Sequence, residues 1–533
     1  MRSAAAVFLL ALVLTAPATA APGPQGLDAR FASCGRLTPA PLASLAGRAA
    51  QVERAPDGSI VVAGTLVGDA LQADSFAVAR FSPAGVLDKG FGSGGVARVK
   101  VRRPTGEQNA EVTGLLVQAD GKVVVGGYVA GFDNDRAVLA RLEADGDPDP
   151  LFGSAGVVED AVPSAGGGRI GALAQAADGT ILVAGTRDQN EGARFVVLRY
   201  RPAGGLDPAF GTGGSATVDS GLGSSSATAI AVRADGEIVA AGQAGEQFAL
   251  VRMLANGDLL SASYESPPAS AGVRALSLLV DGRIVVAGRG TNINGRDLVA
   301  LGRYTTDGRP DPAFGSDGFV MDRGATAASG LAVDESGRLL VAATSGFTAS
   351  GLVRYSADGA RDAGFGLDGS LVGFGSYMPD AGDVVVESGG TAVVPLNNGA
   401  RFGVVRFALD EPALAATASQ PRVCSARVTT KSLTQLLRRG TTARFGKLGV
   451  ALSLRQPGNV RVSAVARVGG RSARVGAATV FYTSFGKAVA TVQVSRAAAR
   501  LLRPAKSAEI TLTAVGTDGG GSAFTGTRTL KRR

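Results

Sequence analysis

Histidine is absent from this sequence, and with it go the Ser-His-Asp triad, the His-activated cysteine nucleophile and His-ligated zinc. Carboxylate, guanidinium and amide groups are what remain for chemistry. Three polar segments carry them in the densest form: Phe132-Asp133-Asn134-Asp135, Arg187-Asp188-Gln189-Asn190-Glu191 and Thr291-Asn292-Ile293-Asn294. They differ from the matching segment Gln243 to Gln247, and loops that differ between otherwise similar units are where a site is built. The candidate ligand groups are Asp133, Asn134, Asp135, Arg187, Asp188, Asn190, Asn292 and Asn294. Paired carboxylates among them suit a lyase or glycosidase, which needs no histidine, and the same groups suit a non-catalytic ligand surface or plain solvated loop tips. Asp145, Asp147 and Asp149 alternate as calcium ligands do, but Asp145 and Asp149 are already accounted for by a turn and a strand ladder. No metal and no cofactor are expected.

A second set of charges is periodic. Arg80, Arg141, Arg199, Arg252, Arg303, Arg354 and Arg406 each follow a hydrophobic strand-like run. Six of them have a glycine five residues on, and five have an aspartate at plus eight (Asp88, Asp149, Asp207, Asp311, Asp362) and a phenylalanine at plus eleven (Phe91, Phe152, Phe210, Phe314, Phe365). A hairpin loop made of a type I turn and a bulge glycine at plus five sets plus two against plus six, and therefore arginine against aspartate. As cross-strand ion pairs these would contribute about 0.2–1 kcal/mol each. Phenylalanine, three residues further, would fill the wedge between neighbouring sheets. A functional ring of charges is the other reading, but repetition in every module favours structure over a unique site.

The elements that carry this register recur as well. Asp-Gly followed by Val/Ile/Leu and Ala-Gly appears at Asp57, Asp120, Asp178, Asp235 and Asp281, with weaker copies at Gly337 and Gly390. Each marks a tight hairpin between two short apolar runs. Residues 27 to 411 divide into seven modules of 55, the length of a four-stranded propeller blade. The chain is all-β on this reading, a seven-bladed β-propeller, and the 77 glycines suit its many turns. The segment Leu-Val-Arg-Tyr-Ser-Ala-Asp-Gly-Ala-Arg-Asp-Ala-Gly-Phe-Gly, with Asp-Gly-x-Ile-Val-Val-Ala-Gly upstream, resembles the bacterial delta-60 repeat proteins. The resemblance implies export and a propeller, and offers no catalytic residues to carry over. Module four departs from the pattern, with Leu260 at plus eight and Ser263 at plus eleven, so an irregular outer strand is expected there.

Module seven lacks plus eight and plus eleven altogether, while Leu27-Asp28-Ala29-Arg30-Phe31 has their spacing with no complete module before it. The N-terminal segment 27–35 is therefore expected to close blade seven, with Asp28 facing Arg406. Cys34 and Cys424 both fall near that seam, and a disulfide between them is expected, two unpaired buried thiols being the alternative. Arg2, the apolar run Ala4 to Thr15 and the Ala18-x-Ala20 site read as a signal peptide over 1–20, with no later segment apolar and long enough to span a bilayer. The protein is thus expected to be secreted or held at the cell envelope.

Composition changes after a linker at 412–421. Residues 421–533 carry 21 Lys and Arg against Glu509 and Asp518, a net +19, whereas residues 1–420 sum to −10. Alternating runs at 460–466, 488–494 and 508–515, with a short helix over 495–502, read as a small basic β-sandwich of Ig-like kind over 422–533. Its Leu-Leu-Arg-Arg-Gly opening and Thr-Leu-Lys-Arg-Arg ending resemble the basic terminal domains of exported actinobacterial proteins. The functional expectation is an exported binding or scaffold protein with an unidentified protein or glycan ligand. The basic domain would attach to an anionic cell-wall or polysaccharide polymer; a purely structural spacer and a polysaccharide-acting enzyme are the alternatives. Nucleic acid is not an expected partner, because export removes the target and stacking aromatics are few, chiefly Phe481, Tyr482 and Phe485.

Overall fold

The computed structural model describes residues 47–409 apart from 67–74, 102–109, 131–133, 165, 190–191, 267–270, 293, 346–348, 366–368, 375–381, 389 and 398–401, together with Arg36–Leu37 and the backbone of the C-terminal strands. Within 36–409 lie seven four-stranded antiparallel sheets, six of them meanders in chain order and the seventh completed by the N-terminal strand. The first spans Gly47–Arg54, Ile60–Leu66, Ser75–Phe81 and Val96–Lys100, which we name strands a to d from the axis outward. Blades two to six occupy 110–159, 168–218, 225–265, 271–322 and 327–374 in the same order. The protein is a seven-bladed propeller, as its repeats imply.

Strand b is buried on both faces, every residue of Ile60–Leu66 being buried, and this is why the repeated phrase is a continuous apolar run and not an alternating one. Its closing glycine has a steric cause. Strand a carries a bulge at the same place in blades one to six, for example between Ala49 and Gln51, and its backbone leans onto strand b there. A Cβ on Gly64 would lie 1.9 Å from the Arg48 carbonyl, and one on Gly242 1.9 Å from that of Ser226. Seven hydrophobic clusters fill the seven wedges between blades, so the core is distributed around the ring and each blade depends on two neighbours. Inner strands also touch directly: the Thr113 and Thr228 hydroxyls donate to the Ile170 and Val273 carbonyls of the following blade, each at 2.6 Å.

Blade seven is built from Val385–Glu387, Thr391–Asn397 and Phe402–Ala408, and its fourth strand is the N-terminal Arg36–Leu37. The segment 27–35 and Asp28 lie outside the described residues, and the pairing that is described falls just after them. Its register is that of the other blades. Val405, one before Arg406, pairs with Arg36, five after Phe31; Ala79 pairs with Val96 and Leu198 with Ser215 at the same offsets from Arg80/Phe91 and Arg199/Phe210.

Blade four carries an irregularity in its outer strand, as its departure from the repeat leads one to expect. Its outer strand Leu259–Glu265 is seven residues long and leaves the hairpin directly, with one register shift between Arg252 and Met253. Lacking Asp at plus eight and Phe at plus eleven, the segment has nothing to tuck into the wedge, and it pairs from Leu259 to Glu265 with Leu260 skipped at the shift.

In the C-terminal region, Arg427–Val428, Lys447–Leu454 and Gly486–Gln493 form a three-stranded sheet. Asn459–Val468, Arg471–Phe481, Ala508–Thr517 and Ala523–Arg532 form a four-stranded one. The expected strands at 460–466 and 508–515 fall within these, as does 488–493 of the third; Val494, the expected helix over 495–502 and both cysteines lie outside the described residues. No helix among the described residues is long and apolar enough to cross a membrane.

Candidate functional site

The meander sorts the connections onto two faces. Turns a–b, and in blades one to six turns c–d, lie at one end of the blade, and the b–c connections and blade-to-blade links lie at the other. The periodic charges belong to the first face, and the three polar segments, all b–c connections, belong to the second.

On the turn face each c–d loop has a hydrogen bond from plus two to plus six, as from Ser82 N to Val86 O at 2.8 Å, and its glycine is left-handed (Gly85 φ 77°, Gly204 φ 85°). That loop brings Asp88 N onto Arg80 O at 2.9 Å and places the side chains together. Arginine Nε donates to aspartate Oδ2 at 2.8 Å in Arg80–Asp88, 2.7 Å in Arg141–Asp149, and 2.8 Å in Arg199–Asp207, Arg303–Asp311 and Arg354–Asp362. In the fourth blade Glu237, the residue after the a–b turn glycine, takes the missing role and holds Arg252 through two bonds of 2.7 and 2.8 Å. Arg406 lies 3.6 Å from Glu387.

Spacing within a module could not reveal what the other arm of each arginine does. Nη1 of Arg80, Arg141, Arg199, Arg252 and Arg303 donates to a c–d loop carbonyl of the next blade, Ala144, Pro202, Ala255, Asp307 and Ala357 in turn, and that of Arg354 to the carbonyl of Leu409, just past the third strand of blade seven. Arg406 completes the circle onto Pro83 of blade one at 2.6 Å. Below each complete phrase the phenylalanine ring underlies the guanidinium, at 4.9 Å for Phe91 and 4.3 Å for Phe365, and the rings are buried between blades. The plus-five glycine is needed for this approach as well as for its dihedral, since a Cβ on Gly204 would lie 2.8 Å from Gly153 N of the preceding blade. Several pairs are buried, Arg303 at 4% and Asp149 at 0% exposure, which takes them beyond the surface-pair range. Burial pushes the Asp149 carboxyl up, but hydrogen bonds from Lys122, the Leu151 N–H and Arg141 outweigh it and hold the group down at about 2. At Asp88 the hydrogen bond from Arg80 is the largest influence and lowers the carboxyl.

On the opposite face the structure brings two of the three polar segments together. Arg169, at the start of strand a of blade three, donates through Nε to Asp135 Oδ2 and lies 5.0 Å over the ring of Tyr128, whose hydroxyl donates to Glu111 at 2.5 Å. Asp188 lies within the electrostatic reach of this group: burial raises its carboxyl, Arg169 draws it down and Asp135 adds to the rise. Its backbone is anchored by Ser164 Oγ and by a bond from its own N–H to Gly167 O at 3.0 Å. Arg187 and Asp188 are not loop residues, because strand b runs to Gln189. Arg187 turns back onto the outer strand and donates to Ser215 Oγ at 2.9 Å and Thr217 Oγ1 at 3.2 Å. Asn292 spends its side-chain oxygen on the N–H groups of Asn294 (2.9 Å) and Arg296 (3.0 Å), so it builds its own turn on blade five, apart from the cluster. Asn134 precedes the buried Asp135, and Asp133 and Asn190 lie outside the described residues. Glu111, Tyr128 and Arg169 escaped sequence reasoning because they stand within strands, where no turn signal marks them. Together the cluster offers a guanidinium, a half-buried phenol ring and three carboxylates from two adjacent blades on the rim of the ring. Among the described residues no group of three or more acidic or cysteine side chains is placed to hold a metal.

This architecture defines a class, the β-propeller repeat proteins. Five segments, 55–91, 118–152, 176–210, 281–314 and 335–365, match the family described as "Domain of unknown function (DUF5122) beta-propeller". Each runs from an a–b turn to a plus-eleven phenylalanine, and the two blades without a match are those with incomplete phrases. The chain is also similar to the β-propeller domain of the trilobed protease from Pyrococcus furiosus, at 9% identity and TM-score 0.37 over 72% of this chain and 99% of that one. Further similarities are to Penicillium chrysogenum α-L-arabinanase complexed with arabinobiose (12%, 0.36, 74% and 99%) and to Drosophila Plexin A in complex with Semaphorin 1b (8%, 0.39, 73% and 88%). The comparison with curated proteins returned no match.

Proposed function

We propose that the protein is an exported, non-catalytic binding or scaffold protein. Its propeller presents the Glu111–Tyr128–Arg169–Asp135–Asp188 rim to a protein or glycan ligand, and its C-terminal region, folded as a basic Ig-like sandwich, attaches to an anionic cell-envelope polymer. The observation that carries this reading is the division of charge, +19 over residues 421–533 against −10 over the rest. Charge of that density binds polyanions by counterion release, with affinity that falls steeply as salt rises. The signal peptide over 1–20 and a disulfide between Cys34 and Cys424 belong to the same proposal. The full chain should cosediment with anionic cell-wall polymer at about 50 mM salt and release at several-fold higher salt, while a chain ending at 411 stays in solution. Failure of the full chain to bind at low salt refutes the attachment.

A second reading, a polysaccharide lyase or glycosidase, draws on the raised Asp188 carboxyl beside Asp135. Mass analysis of polysaccharides incubated with the protein decides between the two, since shortened products would make the rim catalytic.

A further inference from the structure

The seam where the ring closes differs chemically from the other six interfaces. Its inner strands are those of blades seven and one, joined by a bond from Asp383 N to Ala50 O at 3.1 Å. The backbone there is tightly enclosed: a Cβ on Gly382 would lie 1.9 Å from Ala50 O, and one on Gly330 of blade six 2.7 Å from Asp383 Cα. Counted back from the a–b turn glycine, Asp383 occupies the position held elsewhere by Gln51, Gly114, Ala172, Ala229, Ala275 and Gly330. Glu53 occupies the one held by Leu116, Ala174, Ala231, Ser277, Ala332 and Val385. At these two inner-wall positions, only this seam carries carboxyl groups.

We propose that ring closure is proton-linked, Glu53 and Asp383 being protonated in the closed ring and their ionisation loosening the seam between blades seven and one. Burial pushes the Asp383 carboxyl up to about 7. Burial and the nearby Asp383 together push Glu53 up to about 7. Neighbouring charges are engaged elsewhere. Arg54 donates to Ser388 Oγ at 3.2 Å; Glu387 accepts from Thr391 Oγ1 at 2.9 Å and faces Arg406. Strand Ala327–Val333 of blade six carries no titratable side chain, and on the inner strand of blade two Glu111 is bonded to Tyr128. Both folded values stand above those of an unfolded chain, so closure takes up protons. The stabilisation is complete below about pH 4 and is lost as the pH rises through 7. The chain contains no histidine, which leaves this window free of the side chain that ordinarily titrates within it.

The test is the thermal midpoint of the full chain from pH 5 to pH 8, for the parent and for E53Q/D383N. The parent midpoint should fall across the window and the variant should lose most of that slope; Asp188, raised on the opposite rim, is the contributor that remains. A flat parent profile, or an unchanged slope in the variant, overturns the proposal. Should the variant not fold, hydrogen exchange of the parent decides. Gly47–Arg54 should lose protection between pH 5 and pH 8 relative to Ser225–Val232 of blade four after correction for intrinsic exchange, and equal loss in both strands refutes the linkage.

Discussion

Replacing Arg354 by alanine isolates the arginine clasp at one interface. Arg354 is 6% exposed; its Nε meets Asp362 at 2.8 Å, its Nη1 donates to Leu409 O of blade seven at 2.7 Å, and its guanidinium lies 4.3 Å over Phe365. Breaking a buried pair by removing one partner costs about 3–5 kcal/mol. The Asp362 side chain keeps 26% exposure and recovers some hydration, which favours the lower end, while Leu409 O loses its donor at a cost of about 1 kcal/mol. The net expectation is a loss of about 3–4 kcal/mol, read as a shift of the denaturant midpoint of the full chain at unchanged slope. D362A leaves the guanidinium without its counter-charge but with its interblade bond and its ring contact, and should cost about 2–3 kcal/mol, less than R354A by about the interblade bond. The double variant should cost little more than R354A. An R354A loss below about 1 kcal/mol, or a D362A loss as large as that of R354A, would show that the pair acts only within its blade and that the clasp does not hold the ring.

Asp149 should stabilise the fold above pH 4 and cease to do so as the pH falls toward 2, because its folded value lies below its unfolded one; acid titration of stability should therefore be shallower in D149N than in the parent. A chain starting at residue 38 should melt below a chain starting at residue 21, since it uncovers strand Phe402–Ala408. Identical melting of the two would refute closure by the N-terminal strand.

The seven-fold division, the all-β class and the turn types were legible from the sequence because each depends on local chemistry. Asp-Gly and the plus-five glycine specify hairpin loops over three to five residues, and once the loop length is set, strand pairing places plus zero opposite plus eight without further information. Leu27 to Phe31 pointed to closure by the same local rule, and the pairing at Arg36 sits at the corresponding offset. The charge split was likewise plain in the composition. Tertiary structure alone decided what lies across blade boundaries. In blades one to six the arginine reaches a carbonyl 54 to 64 residues onward, and backbone carbonyls leave no trace in residue identity. Glu237 replaces an absent aspartate from the a–b turn, and Arg169 meets Asp135 only because successive blades stand side by side. Glu53 and Asp383 read as ordinary acidic residues until the ring sets them at one seam. Local rules act through bonded geometry within a module, whereas these contacts arise from packing one module against another, where neighbours in space are far apart in the chain.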